Sequence, residues 1–316
     1  DSPLPGTLME RNPERFSGVS SLEGRNGVLA AQYEEKERKN FTAGARAMKS
    51  AFCFDNRVVL LGSGITNNNS TYPTETTLYQ LALVDPAEEV EFADNRYVEF
   101  PLAETRLNVE RVMLSDTKGN YYIVKNAPSL TVVKQEQQSP DDKTRKMERG
   151  KFATAFISHG YAPQNASYEY ALYIQPTNKE INKIYKRDTY EVLQKDEIAH
   201  VVKDFDSGIT GYVCWREYNA QSRVLKIDGE SIFMEREDSA TGEWVMSICT
   251  PDLGITEKGY TTKQESQPIV KSVTLQGEWH LVGENPAIEL LVESGNTIIK
   301  ATCRHGKPID FRLSNK

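Results

Sequence analysis

The stretch "RVMLSDTKGNYYIV", Arg111 to Val124, decides the fold. Two runs rich in apolar and aromatic residues flank a polar centre, and Lys118-Gly119-Asn120 has the glycine and asparagine typical of a tight turn. Each run is too short for an independent helix but has the usual length of a strand. The stretch therefore predicts two antiparallel strands joined by a hairpin turn.

The same pattern recurs in both directions along the chain. "SAFCFDNRVVLLGSG", Ser50 to Gly64, predicts two strands joined at Asp55-Asn56. Later stretches combine β-branched and aromatic residues with turn residues in the same way: "SRVLKIDGESIFMERE", "GEWVMSICT", "SVTLQGEWHLV" and "NTIIKATCRHGKPIDFRL". We predict an all-β chain of antiparallel β-sandwich domains.

One segment has a helical pattern, "PTNKEINKIYKRDTYEVLQ". Thr177 and Glu180 have the spacing of a capping box, and three apolar residues fall on one face: Ile181, Ile184 and Tyr185. We predict one short helix within roughly Thr177 to Leu193, linking two β regions. The predicted domain boundary lies near Tyr190, with a central β-sandwich domain at 1–189 and a C-terminal one at 190–316.

Composition and charge narrow the class of protein. The chain has 316 residues, 38% of them apolar and 26% charged, which is enough for one or two domains with real cores. With 45 acidic and 38 basic residues, its formal net charge of -7 argues against nucleic acid and membranes as partners. Two basic runs, "KERKNFTAGARAMK" and "KTRKMERGK", are interpreted as solvated loops.

The sequence shows neither a membrane-spanning run nor a signal-peptide pattern. No apolar run approaches the roughly 20 residues that span a bilayer, and "DSPLPGTLMERNP" lacks the pattern of a signal peptide. Because the chain also lacks an initiator Met, we expect a processed protein or a piece of a longer one.

Neither the cysteines nor the histidines form a metal-binding pattern. Cys53, Cys214, Cys249 and Cys303 lie far apart, without a C-x-x-C pair or a nearby histidine, so no metal site is predicted. Three of them lie in strand-like runs and are expected to be small core hydrophobes, Cys53, Cys214 and Cys249, while disulfide bridges remain open. His159, in "ISHGYAP", is the histidine best placed in a loop, although an isolated histidine is more often structural or simply exposed.

The stretch "GSGITNNNSTYPTETTLYQ" combines polar side chains with a strand start. Asn67, Asn68 and Asn69 carry amides that hydrogen-bond sugar hydroxyls, so we predict that they bind substrate. Glu75 lies where loop passes into strand, and two interpretations stay open: a strand carboxylate paired across the sheet, or a group that faces a bound ligand. Three tryptophans are predicted to lie in strands and are therefore expected in the core rather than as sugar platforms: Trp215, Trp244 and Trp279.

Several motifs together resemble a known family. They are "FSGVSSLEG", "NFTA", "LGSGI", "TETTLYQ", "HGYAPQNASYEYALYIQP", "YEVLQKD" and "TPDL". In order and spacing they resemble the C-terminal β region of polysaccharide lyases of family 8, within the chondroitin sulfate ABC lyase group. The resemblance spans almost the whole chain and implies a supersandwich-like fold.

The resemblance also implies an activity. Such an enzyme cleaves glycosaminoglycans, here chondroitin or dermatan sulfate, by β-elimination at uronic acid without a cofactor. Most of its catalytic groups lie on a helical toroid domain that precedes this region, and a glutamate of the β region joins them across the substrate cleft. Glu75, in "TETTLYQ", matches that glutamate.

The resemblance therefore implies two partners, a glycosaminoglycan polysaccharide and the helical toroid domain of the same enzyme. Because this chain contains no candidate toroid, it is expected to be inactive alone, and the enzyme is expected to be secreted or periplasmic. The alternative is a noncatalytic glycan-binding β-sandwich module. A purely structural adhesion domain would explain the β pattern but not the motifs.

Overall fold

The computed structural model describes residues 16–35, 44–220, 222–254 and 266–315. Within them the chain is almost entirely strand, arranged in three antiparallel sheets, with a single α-helix. The prediction of an all-β, antiparallel fold with one short helix is confirmed. The motif "NFTA" and part of the first basic run lie outside the described residues.

The chain forms two compact units. The first combines Asp1–Asp55 with Thr189–Lys316, and the second is Asn56–Asp188. The start of the chain thus groups with its C-terminal part. The division into domains at 1–189 and 190–316 stays a prediction.

The first unit begins with three antiparallel strands, β1 (Ser17–Leu22), β2 (Asn26–Glu34) and β3 (Arg46–Phe54). Side chains alternate along β3, so that Phe52 and Phe54 are buried while Cys53 between them is exposed. The expectation that Cys53 is a core thiol is therefore wrong. Because successive strand residues face opposite sides, two inward phenylalanines force the intervening thiol outward.

The second unit contains eight strands. They are β4 (Arg57–Thr66), β5 (Glu75–Ala82), β6 (Val90–Phe92), β7 (Asn95–Tyr97), β8 (Leu102–Ser115), β9 (Tyr121–Pro140), β10 (Met147–Ser158) and β11 (Ala166–Tyr173). Within this unit neighbouring strands follow the order β4-β11-β9-β8-β6-β7, and β10 pairs with both β9 and β5. All of these pairings are antiparallel.

The hairpin between β8 and β9 is the one predicted from "RVMLSDTKGNYYIV". One Asp116 carboxylate oxygen accepts hydrogen bonds from the backbone N–H groups of Lys118 (2.8 Å) and Asn120 (3.0 Å). The other accepts from the Tyr122 hydroxyl at 3.0 Å. Gly119 has a φ of 80°, which glycine adopts without strain. The turn prediction is confirmed, and Asp116 is the residue that fixes it.

The helix α1 (Asn178–Lys186) follows β11. Thr177 caps it, because its hydroxyl accepts from the Glu180 N–H at 3.3 Å while the Glu180 carboxylate accepts from the Thr177 N–H at 2.7 Å. Ile184 is buried. The predicted capping box is confirmed. The helix ends before Arg187, whose extended backbone breaks the helical geometry.

No helix in the described part of the chain has the length and apolar character needed to cross a lipid bilayer.

The rest of the first unit follows α1. Its strands are β12 (Tyr190–Lys195), β13 (Ala199–Asp204), β14 (Thr210–Cys214), β15 (Tyr218–Asn219), β16 (Val224–Ile227), β17 (Ser231–Glu237), β18 (Trp244–Cys249), β19 (Ile269–Gln276), β20 (His280–Leu281), β21 (Ile288–Glu293), β22 (Asn296–Cys303) and β23 (Ile309–Ser314). One sheet has the order β12-β13-β14-β17-β18-β23-β20 and the other β15-β16-β19-β22-β21.

Side chains from both of these sheets form one hydrophobic core. Phe233 and Ile248 come from the first sheet, and Val273 and Ile299 from the second. Two sheets that share one core form a β-sandwich. The three tryptophans are buried, as expected: Trp215, Trp244 and Trp279. The prediction that all three lie in strands is wrong, because Trp215 directly follows β14 and Trp279 lies between β19 and β20.

All four cysteines are free thiols. Cys214 and Cys249 are buried, as expected, and Cys303 is buried as well. Burial raises the pKa of Cys249 to about 12 and that of Cys303 to about 11, so these thiols stay protonated at neutral pH.

Candidate functional site at the start of strand β5

Glu75 is the first residue of β5 and its side chain is exposed. In the register it lies opposite Ser158, the last residue of β10. Since β10 is the one described partner of β5, Glu75 stands on an edge strand, where the loop from β4 enters the sheet. Partial burial raises the pKa of the Glu75 carboxyl, which remains able to accept hydrogen bonds from a ligand or a partner group.

The loop before Glu75 is held against the segment that joins β10 and β11. The N–H of Asn67 donates to the carbonyl of Pro163 at 3.1 Å, and the N–H of Thr74 donates to that of Gly160 at 2.8 Å. In return, the N–H of His159 donates to the Thr74 carbonyl at 2.8 Å. These backbone bonds position Glu75 because they fix both ends of the loop that leads to it.

The side chain of Asn67 organises the loop from within. It is buried, its amide nitrogen donates to the Thr74 hydroxyl at 2.6 Å, and its amide oxygen accepts from the Asn69 N–H at 2.9 Å. Its backbone carbonyl also accepts from the Gln164 amide at 3.1 Å. A local side-chain bond of this kind is typical of asparagine in turns.

The next two asparagines differ in exposure. The Asn69 side chain is half-buried, and its amide oxygen accepts from the N–H groups of Thr71 at 2.9 Å and Tyr72 at 3.0 Å. Asn68 is exposed. The assignment of Asn67, Asn68 and Asn69 to substrate binding stays a prediction, and Asn68 has the most accessible side chain of the three.

His159 lies at the same end of the sheet as Glu75. Its Nε2 atom is 2.9 Å from the hydroxyl of Thr76, the residue after Glu75. Its ring lies 6.4 Å from the ring of Tyr168. The sequence places His159 in a loop, and the structure confirms that it directly follows β10, the strand that pairs with β5. Its proximity to Thr76 depends on the pairing of β10 with β5, which the local sequence does not reveal.

The glycines of "LGSGIT" have a packing role. A side chain on Gly62 would clash with the Tyr168 ring. Two glycines in "LGSGIT" predict a turn that lets the backbone approach a neighbour or a ligand closely. The close approach is confirmed, with a protein side chain as the neighbour, but the turn is wrong, because β4 continues through Gly62 to Thr66 and pairs with β11 over this region.

Among the described residues, no group of three or more histidine, cysteine, aspartate or glutamate side chains is placed to hold a metal ion. Chemically, the site offers one accessible carboxylate, amide and hydroxyl groups, and an imidazole close by. Such a set can bind hydroxyl groups and orient a cationic partner.

Comparison with known proteins relates this arrangement to a family. Residues 3–185 match the model of polysaccharide lyase family 8, super-sandwich domain. The chain is 31% identical to a chondroitin sulfate ABC endolyase of Proteus vulgaris, over 99% of this chain and 31% of that protein. It is 28% identical to a chondroitin sulfate ABC exolyase of Bacteroides thetaiotaomicron, over 95% of this chain and 30% of that protein.

Solved structures show the same fold. A xanthan lyase of Paenibacillus has a TM-score of 0.80 at 17% identity, over 98% of this chain and 29% of that one. A chondroitin AC lyase of Streptomyces coelicolor, solved in complex with chondroitin sulphate, has a TM-score of 0.69 at 15% identity, over 95% of this chain and 36% of that one.

The chain thus spans about 30% of the length of the curated relatives named above. Both the family match and the identity to a lyase over nearly the whole chain agree with the antiparallel β architecture. The chain belongs to polysaccharide lyase family 8, whose super-sandwich domain it contains.

Proposed function

We propose that this chain is the β portion of a glycosaminoglycan lyase that acts on chondroitin or dermatan sulfate by β-elimination at uronic acid. The similarity to chondroitin sulfate ABC lyases over nearly the whole chain supports this substrate class. In the proposal the chain forms one wall of the substrate cleft. A helical toroid domain of the same enzyme forms the other.

The reaction requires three events at one uronate. The carboxylate is neutralised, which acidifies the C5 proton, a base removes that proton, and an acid protonates the departing glycosidic oxygen. The products are a 4,5-unsaturated uronate and a new reducing end. In the proposal the base, the acid and the neutralising group lie on the toroid domain, and no cofactor takes part.

Glu75 supplies the contribution of the β region. Its carboxylate faces a cationic arginine or a histidine of the toroid domain, orients that group and raises its proton affinity, as the third member of a catalytic triad does. The observation that carries this role is the position of Glu75. It is an exposed carboxylate at the first residue of an edge strand, at the end of a loop fixed by backbone hydrogen bonds.

The substitution Glu75→Gln in the full-length enzyme tests the role, because it removes the charge and keeps the shape. We expect kcat on chondroitin sulfate to fall by roughly 10²- to 10⁴-fold, the range seen when an orienting partner is lost. The matched control is Glu148→Gln, an exposed glutamate near the opposite end of β10, which should leave kcat unchanged. Equal activity of the Glu75→Gln and wild-type enzymes would remove Glu75 from the mechanism.

The chain alone is proposed to be catalytically silent, because a cooperative catalytic group loses nearly all of its effect when most members are absent. Incubation of the purified chain with chondroitin sulfate should give no rise in the ultraviolet absorbance of unsaturated uronate. Addition of a separately produced toroid domain should restore part of it. A rise from the repurified chain alone, abolished by a His159 substitution, would show that the β region has its own active site.

The polymer substrate also suggests a location. Glycosaminoglycans are too large to enter a bacterial cell intact, so we propose that the enzyme is secreted or periplasmic.

A further inference from the structure

Two tyrosines are unusually exposed in a chain that buries many of its aromatic rings. Tyr72 is 68% exposed and Tyr161 is 62% exposed, more than any other aromatic side chain in the described part of the chain. The next most exposed is Tyr33, at 47%. A ring left in water gives up the free energy that its burial would supply, so two such rings require an explanation.

Both tyrosines belong to the two loops that meet beside Glu75. Tyr72 precedes Glu75 by three residues in the loop from β4 to β5, and Tyr161 lies in the segment between β10 and β11. The Thr74 N–H donates to the Gly160 carbonyl at 2.8 Å, so the residue before Glu75 is bonded to the residue before Tyr161. Exposed rings scattered singly over a surface are ordinary, whereas rings that share one place mark a surface for a ligand or a partner.

The backbone that carries the two rings is fixed. The Ala162 N–H donates to the Asn69 carbonyl at 2.8 Å, and the Asn69 amide oxygen accepts from the Tyr72 N–H at 3.0 Å. Tyr161 is flanked by Gly160, with a φ of 77°, and by Ala162, with a φ of 44°. Left-handed backbone is strained for alanine, and strain of this kind is concentrated at ligand-binding sites. A backbone ordered in advance also lowers the entropy lost on binding.

The chemistry of the two side chains fits a sugar ring. A tyrosine ring has a flat apolar face with partial negative charge, and its hydroxyl donates and accepts hydrogen bonds. A pyranose is complementary, because its hydroxyls lie around the edge while C–H groups with partial positive charge cover part of its faces. We propose that Tyr72 and Tyr161, the tyrosine pair, bind the glycosaminoglycan substrate beside Glu75 by stacking on its sugar rings. The inference rests on the proposed function, since its ligand is the polymer assigned there as substrate.

The composition of the two loops indicates which part of the polymer they recognise. Residues 66–74 are "TNNNSTYPT" and residues 159–165 are "HGYAPQN", and neither stretch contains lysine or arginine. Their aromatic, amide and hydroxyl groups suit the sugar ring and its hydroxyls, not its sulfate or carboxylate groups. The contribution of the tyrosine pair to binding is therefore expected to change little with salt concentration, because salt screens charges and not stacking.

The first test measures kcat and KM of the full-length enzyme on chondroitin sulfate. Tyr72→Ala and Tyr161→Ala should each raise KM about tenfold and leave kcat within about twofold, because stacking holds the sugar equally in the ground state and the transition state. Tyr72→Phe and Tyr161→Phe keep the rings and should keep KM within about threefold of the wild type. The matched control is Tyr185→Ala, which removes an exposed tyrosine of α1 and should leave KM unchanged. The control lies after β11, whereas Tyr161 lies before it.

The second test needs no turnover. Saturation-transfer NMR of the complete 316-residue chain with a chondroitin sulfate hexasaccharide should show transfer from the protein to C–H protons of the sugar rings. The double variant Tyr72→Ala/Tyr161→Ala should lose most of this transfer, to the same extent at low and at high salt. Tyr185→Ala should keep it. Thermal unfolding of each variant, in the 316-residue chain and in the full-length enzyme, shows whether the change affects the fold.

Several outcomes would overturn the tyrosine pair. One is an unchanged KM in both alanine variants, and another is an equal rise in Tyr185→Ala. Equal losses in the phenylalanine and alanine variants would mean that the hydroxyls bind, not the rings. A loss of thermal stability in the full-length alanine variants, without one in the 316-residue chain, would assign the rings to contact with the toroid domain.

The NMR result separates this inference from the proposed function. Absence of transfer from the wild-type chain would overturn the tyrosine pair even if the full-length enzyme cleaves chondroitin sulfate. Conversely, transfer that is lost in the double variant would support the pair even if the full-length enzyme cleaves no chondroitin sulfate, and the proposed function would then fail alone.

Discussion

Two glutamates, one in each compact unit, differ in every respect except residue type and the direction of the pKa shift. Glu235, in β17, is 7% exposed and accepts a hydrogen bond from the Tyr212 hydroxyl at 3.2 Å. Burial raises its pKa to about 7. Glu75 also has a raised pKa, caused by partial burial, but it is exposed at the start of an edge strand. A raised pKa thus reports burial, and accessibility decides which carboxylate can meet a ligand.

The largest expected effect concerns Glu235. Its folded pKa of about 7 lies above the unfolded value of 4.5, so the native state binds more protons between these values. The wild type should lose stability as pH rises from about 4.5 to about 7, and Glu235→Gln should not. The difference in the free energy of unfolding should change by about 3 kcal/mol in favour of the variant across this window.

Urea unfolding of both proteins at a series of pH values measures this difference directly. Other titrating groups are common to the two proteins and cancel. A pH-independent difference would mean that Glu235 is charged in the native state at neutral pH, and the contrast with Glu75 would then be lost.

The next effect concerns the loop before Glu75. Asn67→Ala removes both side-chain hydrogen bonds of a buried amide and should cost about 2 kcal/mol of stability. Asn68→Ala, one residue further on and exposed, should cost less than about 0.5 kcal/mol. Thermal unfolding of the wild type and of the two variants measures both costs. Equal costs would show that the loop is not organised by Asn67.

A smaller effect is expected at Thr76. Thr76→Val keeps the shape of the side chain but removes the hydrogen-bonding partner 2.9 Å from His159 Nε2, at a cost of about 1 kcal/mol. The exposed neighbour Thr77→Val provides the control. If both variants unfold at the same temperature, the pairing of Thr76 with His159 does not stabilise the strand end.

The smallest effect returns to Glu75. Because it is exposed, Glu75→Gln should change the free energy of unfolding by less than about 0.5 kcal/mol between pH 4.5 and 8. The same substitution is therefore expected to change the pH dependence of stability at Glu235 and to lower turnover at Glu75. A large loss of stability in Glu75→Gln would identify Glu75 as a structural strand residue.

Features that depend on interactions within a few residues could be predicted from the sequence. The hairpin at Lys118-Gly119-Asn120 and the capping box of Thr177 and Glu180 follow from interactions within a few residues, so their patterns are visible in the chain. The burial of Trp244 followed in the same way from its position within a strand.

Features that depend on long-range pairing could not be predicted in this way. His159 meets Thr76 only because β10 pairs with β5 in a particular register, 83 residues apart in the sequence. Cys53 faces outward because its two phenylalanine neighbours face inward, which an apolar run such as "AFCF" does not reveal. The resemblance to a family supplied Glu75, which its local sequence left open between two interpretations.

The four thiols all belong to the first compact unit, since residues 56–188 contain no cysteine. Three of them are buried, and their raised pKa values suppress the reactive thiolate. Reaction with a thiol reagent at these three positions therefore requires local or global opening, and its rate measures how often that unit opens.

Unmodified protein thus carries a built-in kinetic probe of one unit, with the exposed Cys53 as a fast internal reference. The other unit, which holds Glu75, gives no labelling signal of its own. A single cysteine introduced at a buried position there would add a separate labelling site, and peptide mapping of the labelled protein would measure the opening of the two units in one experiment.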